Sequence, residues 1–351
     1  MQILDVLKDG LERNGSDLFL LPGSAPSIKT GGHMEQLPGD RLIPATSRDL
    51  IEQIYNHAGR SMETLDKTGD DDFSFSVQGL GRFRCNAYKQ RSSLAAVIRI
   101  VPFGLPDSDK MQIPETILNL YKQKNGLVLV TGPAGSGKST TLACLIDKIN
   151  HNTSGHIITL EDPIEYVHSH AGCLVSQREV SLDTESYAAA LRAALRQTPS
   201  CILLGEMRDF ETIQTALTAA ETGQLVLSTL HTVGAAKTID RVVDVFPAHQ
   251  QAQIRIQLSM VLQAVVSQQL LPGVDGSLHP AFEIMLSTPA IQNMMREGKT
   301  HQIDNVIFSG ADMGMRTMDS DIIRLYKEGK ISRDVAISHA VDPVAMGRKI
   351  C

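Results

Sequence analysis

Residues 132–139 read GPAGSGKS, and this stretch decides the fold. The apolar run GLVLVT (126–131) precedes it, and a segment with helical periodicity follows from about residue 138. The octapeptide fits the pattern G-x-x-x-x-G-K-[ST], in which glycines let backbone N–H groups curl around phosphates. A strand before the motif and a helix after it are the setting in which the motif binds a nucleotide. The sequence therefore predicts a nucleoside triphosphate site.

The residues of this loop have separate predicted roles. Lys138 is expected to reach the β and γ phosphates, and the Ser139 hydroxyl is expected to ligate Mg²⁺. The alternative is a plain glycine turn before a helix, which the flanking strand and helix disfavour. The nucleotide contacts are predicted from Gly132, Pro133, Ala134, Gly135, Ser136, Gly137, Lys138, Ser139 and Thr140.

Apolar strands alternate with helices through the middle of the chain. After the loop come the strands HIITLED, CILLGE and LVLSTLH, with helices predicted near 183–197 and 210–222. This alternation predicts a mostly parallel sheet with helices on its faces, and hence an α/β fold. From about residue 248 the pattern predicts a mostly helical C-terminal part.

Two glutamates end strands of this predicted sheet. Glu206 follows ILLG (202–205), where a P-loop enzyme commonly places a carboxylate on the magnesium side, although Asp is the usual residue. Glu161, within HIITLEDPIE (156–165), is placed to orient a water that attacks the γ phosphate. Either acid alone could simply terminate a strand. Two acids that end neighbouring strands behind a P-loop favour a catalytic pair.

His231 ends a fourth strand, LVLSTLHT. A lone histidine is more often structural than functional. Here it lies between Thr229 and Thr232 at the same predicted sheet edge, so a hydrogen bond that senses the γ phosphate is the functional alternative.

Residues 1–102 predict a separate small α+β domain with an antiparallel sheet. In the strand RFRCNAYKQ (82–90), Phe83 and Cys85 alternate toward the core, which points Arg84 outward. The stretch FGLPDSDK carries Gly, Pro and charge, and it predicts a linker over residues 103–111. The second domain is then 112–351.

Composition limits the function classes. The chain has 351 residues, 42% hydrophobic and 21% charged, with a net charge of −6. This composition fits two globular domains, and the negative net charge argues against a protein that binds mainly to nucleic-acid phosphates. Five widely spaced cysteines without a CxxC pair argue against zinc or disulfides and fit a reducing cytosol. No apolar run approaches the ~18–20 residues of a membrane span.

Taken together, the motifs resemble one family. GPAGSGKSTT, ITLEDPIEYVH, LLGEMRDFETIQTALTAAETG and STLHTVGAAKTIDRVVDVFP are similar to the secretion ATPases of type II secretion and type IV pilus systems, in the family's order and spacing. Within that family the chain looks most like the motors of pilus retraction. The resemblance implies a RecA-like P-loop ATPase core preceded by a PAS-like domain, ATP as substrate, Mg²⁺ as cofactor, and a homo-hexamer.

The resemblance also implies roles for single residues. Glu161 matches the catalytic glutamate of the family's Asp box, and Glu206 matches the magnesium-side acid of an atypical Walker B motif. His231 matches the His box. Arg84, in GRFR, and Arg99, in VIRI, match N-terminal-domain arginines that complete the nucleotide site. The alternative for each arginine is a solvated surface residue.

The partners implied are an inner-membrane platform protein and, in addition, a pilus assembly ATPase or a second retraction ATPase. The expected location is the cytoplasm, at the inner face of the membrane, with no nucleic acid bound. Neither a long extra N-terminal region nor a tetracysteine insert is present, which favours retraction over assembly. Two further functions stay open: a DNA or secretion translocase on the same core, and an accessory paralogue. The stretch AIQNMMRE (290–297) leaves room for the second, because the family's motif commonly reads AIRNLIRE, so Gln292 replaces a positive charge and Met294-Met295 replace its apolar pair.

Overall fold

Two sheets organise the chain, one in each of the two units into which it divides, Met1–Gly104 and Leu105–Cys351. The computed structural model describes residues 1–31, 33–101 and 104–350. The predicted linker begins at residue 103, which lies outside these ranges, and residues 105–111 group with the second unit. The finer division at residues 102 and 112 stays a prediction.

The first unit contains a six-stranded antiparallel sheet in the order β3-β2-β1-β6-β5-β4. Phe83 and Cys85 on β5 are fully buried, as the alternation predicts, and Phe83 stacks on Phe75. The elements are α1 (Ile3–Glu12), β1 (Asp17–Leu20), β2 (Ser27–Thr30), β3 (His33–Gln36), α2 (Pro44–Ala58), α3 (Glu63–Thr68), β4 (Asp70–Val77), β5 (Gly81–Gln90) and β6 (Ser93–Val101).

The second unit contains a seven-stranded sheet in the order β13-β12-β7-β11-β10-β8-β9, and only β13 runs antiparallel to its neighbour. The strands are β7 (Gly126–Thr131), β8 (Gly155–Glu161), β9 (Cys173–Glu179), β10 (Cys201–Leu204), β11 (Leu225–Leu230), β12 (Leu262–Pro272) and β13 (Leu278–Leu286).

Helices cover both faces of this sheet and form the C-terminal part of the chain. None of those in the described ranges is long and apolar enough to cross a membrane. The helices are α4 (Glu115–Leu118), α5 (Lys138–Asn152), α6 (Tyr187–Ala194), α7 (Phe210–Glu221), α8 (Ala235–Asp244), α9 (Ala248–Val261), α10 (Pro289–Glu297), α11 (Ile303–Ser309), α12 (Met318–Lys327), α13 (Arg333–His339) and α14 (Pro343–Lys349).

The prediction of a mostly helical C-terminal part was incomplete, because β12 and β13 lie there. Strand β12 pairs in parallel with β7, directly beside the P-loop strand, and β13 pairs antiparallel with β12. Helix α9 ends at Val261 and β12 starts at Leu262, with no glycine or proline between them. Strand β12 is buried along most of its length. Its sequence therefore lacks the alternation of apolar and polar residues that marks a half-exposed strand, and it was not distinguished from the helix before it.

The order of the strands sets the location of the site. Strands β7, β11, β10 and β8 are adjacent and parallel, so their carboxyl ends share one edge. The P-loop follows β7, Glu161 ends β8, Glu206 follows β10 and His231 follows β11. Ligands of open α/β sheets bind at this edge.

A buried carboxylate joins the loop after β11 to the C-terminal helices. Glu283, on β13, accepts hydrogen bonds from the backbone N–H of Ala235 at 2.8 Å and of Met318 at 3.4 Å. These are the first residues of α8 and α12, where the helix N-terminus favours negative charge. Burial raises the pKa of Glu283, and the two backbone bonds act in the opposite direction. One side chain thus caps two helices.

Candidate active site

The P-loop has a backbone shape that requires its glycines. Gly132 has a φ of 141°, and a Cβ there would lie 2.2 Å from the carbonyl oxygen of Gln268 on β12. Gly137 has a φ of 88°, and a Cβ there would lie 2.8 Å from the Gln268 side-chain nitrogen. The loop therefore packs closely against β12 and turns directly into α5, whose N-terminal N–H groups suit an anion.

Two polar side chains of the loop are buried. The Lys138 ammonium donates to the carbonyl oxygens of Gly132 and Pro133, each at 2.9 Å. Burial lowers the pKa of Lys138, while the charges of Glu206 and Glu165 oppose that shift. The Ser136 hydroxyl is 2% exposed and has no hydrogen-bond partner within the described chain. A buried hydroxyl without a partner fits an acceptor supplied by a ligand, such as a phosphate oxygen.

A cavity of about 510 Å³ opens over the loop, a size typical of small-molecule sites. The predicted acids and the histidine meet in this cavity beside the P-loop, which is the arrangement that the sequence indicated. Its walls include Gly135, Gly137, Lys138, Ser139, Thr140, Glu161, Asp162, Glu165, Tyr187, Gly205, Glu206, Thr229, His231 and Leu270.

Glu161 is the last residue of β8, as predicted, and it is surrounded by neutral hydrogen-bond donors. The Thr159 hydroxyl lies 2.6 Å from its Oε1, and the Gln177 amide nitrogen lies 3.2 Å from the same oxygen. Burial raises the pKa of Glu161 to about 7, and the bonds from Thr159 and Gln177 act in the opposite direction. A carboxylate with such a pKa can exchange a proton near neutral pH.

Glu206 lies two residues beyond the end of β10, not at the strand terminus that the sequence indicated. A bend at Gly205 separates it from the strand. Its Oε1 accepts a hydrogen bond from Arg208 Nε at 2.7 Å and lies 3.3 Å from His231 Nε2. Burial opposes ionisation, but the hydrogen bond from Arg208 and the charges of His231 and Arg208 outweigh it and lower the pKa of Glu206.

The site suits Mg²⁺ shared with a substrate. Within residues 1–31, 33–101 and 104–350, no cluster of three metal-binding side chains occurs. Mg²⁺ keeps several waters and is usually held by one or two carboxylates together with substrate phosphates. Ser139, on the first turn of α5, and the ionised Glu206 would supply the protein side of such a sphere. The residues present therefore fit the ion.

Arg84 and Arg99 lie in the first unit, on β5 and β6, directly opposite each other in register. Arg84 pairs with Asp72 at 2.6 Å, and Arg99 Nε pairs with Asp17 at 3.0 Å. The side chain of Arg84 is 37% accessible, which confirms the outward orientation that the strand alternation predicts. The role of both arginines at the nucleotide stays a prediction.

Several residues of the site were missed from the sequence. Arg208 stands within the quoted motif GEMRD, two residues after the acid that it contacts, so the motif itself held the signal. Tyr187 lies at the start of α6, and a Cβ on Gly205 would lie 2.8 Å from its hydroxyl. Gln177 belongs to β9, a strand that the sequence pattern did not indicate.

Fold and site together define a P-loop ATPase with a RecA-like core and a separate N-terminal domain. Residues 89–323 match the model of the family described as type II/IV secretion system protein. The chain belongs to this family, and it is an ATPase.

Individual relatives match over the whole length. The chain is 45% identical, over 98% of its length and 99% of the relative, to the type IV pilus retraction ATPase PilT of Pseudomonas aeruginosa. It is 38% identical to the type IV pilus ATPase PilU of the same organism, over 97% of the chain and 89% of the relative. A crystal structure of the pilus retraction motor PilT with bound ADP superposes with a TM-score of 0.92, at 45% identity and 99% coverage of both chains.

Proposed function

We propose that the chain is the ATP-driven motor of type IV pilus retraction and that it works as a homo-hexamer. The observation that carries this proposal is the similarity to PilT, which extends over both domains and nearly all of both chains. The intact P-loop and the two acids in one cavity support hydrolysis by this chain itself.

The geometry supports a division of roles during hydrolysis. The N–H groups of the loop, Lys138 and the Ser136 hydroxyl hold the phosphates of ATP, and Ser139 and Glu206 would hold Mg²⁺. Mg²⁺, when bound, offsets phosphate charge. Glu161 takes a proton from the attacking water, a function that contributes about 10²–10⁴ in rate.

Three further residues complete the proposed machinery. His231, whose Nε2 lies 3.3 Å from Glu206 Oε1, senses the γ phosphate through a hydrogen bond. Arg84 and Arg99 offset the charge that develops on the transferred phosphoryl group, and such arginines contribute about 10³–10⁵ in rate in other NTPases. Force then passes to an inner-membrane platform protein, so the chain acts at the inner face of the membrane.

An accessory ATPase of the pilus system is the second candidate, and the 38% identity to the type IV pilus ATPase PilU favours it over a DNA or secretion translocase. The altered AIQNMMRE stretch forms α10, in which Met295 is fully buried and Met294 packs against the core. These methionines therefore fill the core. Gln292, which stands where the family's motif has a positive charge, is the other difference. We expect that position to tune retraction without affecting hydrolysis.

Complementation tests the proposal. In a strain that lacks its retraction ATPases, the wild-type chain is expected to restore twitching motility, and Lys138→Ala is expected not to, because the phosphate site loses its cation. Purified wild type is expected to hydrolyse ATP. It is also expected to elute as a hexamer in size-exclusion chromatography with light scattering.

Motility that returns only when a second retraction ATPase is supplied would assign the accessory role. Hydrolysis that needs single-stranded DNA would assign a translocase instead.

A further inference from the structure

The carboxylate of Glu161 is held by donors from two adjacent strands. Thr159 lies two residues earlier on β8 and points to the same face, and Gln177 on β9 is its direct partner in the parallel register. Both side chains reach Oε1 of Glu161, at 2.6 and 3.2 Å. Thr159 is fully buried. One oxygen of the acid is thus fixed from the side of the sheet.

The Gln177 amide has a defined orientation. Its oxygen accepts a hydrogen bond from the backbone N–H of His168 at 2.7 Å, and its nitrogen donates to the carbonyl oxygen of Tyr166 at 2.8 Å. Because a backbone N–H only donates and a carbonyl only accepts, the amide cannot be flipped without the loss of both bonds. The second amide hydrogen therefore faces Glu161.

The segment after β8 that contains Tyr166 and His168 is also hydrogen-bonded to α5, the nucleotide-binding helix. The hydroxyls of Tyr166 and Thr140 lie 2.9 Å apart, and Thr140 directly follows Ser139 on the first turn of α5. The anchors of Gln177 and the phosphate-binding residues therefore share one hydrogen-bonded framework. This framework connects Glu161, through Gln177 and Tyr166, to the first turn of the nucleotide-binding helix.

We propose that Gln177 and Thr159 are positioning residues for hydrolysis, which fix Oε1 of Glu161 so that Oε2 faces the attacking water. This inference rests on the proposed role of Glu161 as the base. Neutral donors suit that task, because they orient a carboxylate without the strong preference for its charged form that a cation would impose.

The electrostatic surroundings agree with this assignment. Burial raises the pKa of Glu161 to about 7, against the hydrogen bonds from Thr159, Gln177 and the backbone of Glu165, while the charge of Glu165 adds to the rise. Within the described residues, Glu161 makes no ion pair, whereas Glu206 contacts an arginine and a histidine. The titratable and charged groups around Glu161 are Asp162 and Glu165 from its own loop, Glu179 from β9, Tyr187 from α6, Lys138 from α5, Glu206 after β10 and His231 after β11.

The test is the pH dependence of kcat and KM for ATP in the full-length protein with Mg²⁺. The base must be ionised, so wild-type kcat is expected to fall as the pH drops through about 7. Thr159→Val and Gln177→Leu each remove a donor to the carboxylate, which raises its pKa and moves the acid limb to higher pH. The kcat on the plateau is expected to fall about tenfold for each, with KM nearly unchanged.

Two controls separate positioning from a structural effect. Thr159→Ser keeps the hydroxyl and is expected to restore the wild-type limb. Ser176 directly precedes Gln177 on β9, and its hydroxyl contacts His156 at 2.8 Å on the opposite face of the sheet. Ser176→Ala is therefore expected to leave the pH profile unchanged. A lower kcat with an unmoved acid limb in Thr159→Val and Gln177→Leu would overturn the inference. Wild-type hydrolysis by Glu161→Gln would instead overturn the role of Glu161 itself.

Discussion

Glu161 and Glu206 line the same cavity and lie at the carboxyl ends of neighbouring strands of one sheet, yet their surroundings are opposite. Glu161 is half-buried among neutral donors, and desolvation raises its pKa to about 7. Glu206 contacts Arg208 and His231, and its pKa falls despite partial burial. Two carboxylates of the same residue type are thus placed in different protonation regimes.

This difference gives each acid a task. Where the environment pushes two titratable groups apart in pKa, the higher one suits proton transfer and the lower one suits a permanent charge. Glu161 can accept a proton from water near neutral pH. Glu206 keeps its charge and suits the metal side. The comparison therefore supports a base and a metal-side residue that are two separate glutamates.

The largest effect is expected from Glu161→Gln. The amide cannot accept the proton of the attacking water, so kcat is expected to fall by about 10²–10⁴ while ATP still binds. Steady-state ATPase assays and calorimetric ATP binding measure the two quantities. Glu221→Gln, at the end of α7 and in contact with Gln257, is a matched control outside the cavity and is expected to keep the wild-type rate. Loss of activity in Glu165→Gln with full activity in Glu161→Gln would assign the base to the other acid.

An intermediate effect is expected from Glu206→Gln. Without the negative charge on the metal side, activity is expected to fall about 10–100-fold, and the Mg²⁺ concentration for half-maximal rate is expected to rise. A Mg²⁺ titration of the ATPase rate measures this. Excess Mg²⁺ is expected to recover part of the rate in Glu206→Gln and none in Glu161→Gln. Equal responses of the two variants to Mg²⁺ would remove the proposed division.

The smallest effect is expected from Arg208→Ala. The arginine is 76% exposed, and exposed ion pairs contribute about 0–1 kcal/mol. The ATPase rate is therefore expected to change by at most about fivefold, and the change is expected to shrink at high ionic strength. Assays at low and high salt test this. A loss as large as that of Glu206→Gln would mean that Arg208 acts on the substrate directly.

The parts of the fold that follow from local signals were predictable. GPAGSGKS fixes a strand, a loop and a helix in sequence, and the alternation after it gives parallel strands with a common carboxyl edge. Strands β12 and β13 were not predicted, because α9 passes into β12 between Val261 and Leu262 without a breaking residue. Their placement beside β7 depends on pairing across the chain, which a local pattern does not contain.

The site divides in the same way. The positions of Glu161 and Glu206 after neighbouring strands follow from the motifs, but their pKa values depend on partners from other elements. Gln177 reaches Glu161 from β9, and His231 reaches Glu206 from the end of β11. Such partners become visible only when the strand order is known.

Glu283 has a mechanical consequence. Its two bonds join the start of α8, directly after the loop that carries His231, to the start of α12. If either bond broke, a buried carboxylate would lose a partner, at a cost of about 1–3 kcal/mol. A displacement of the His231 loop therefore costs least when α12 moves with it. A shift of the His231 loop on nucleotide binding is therefore expected to be accompanied by a shift of α12.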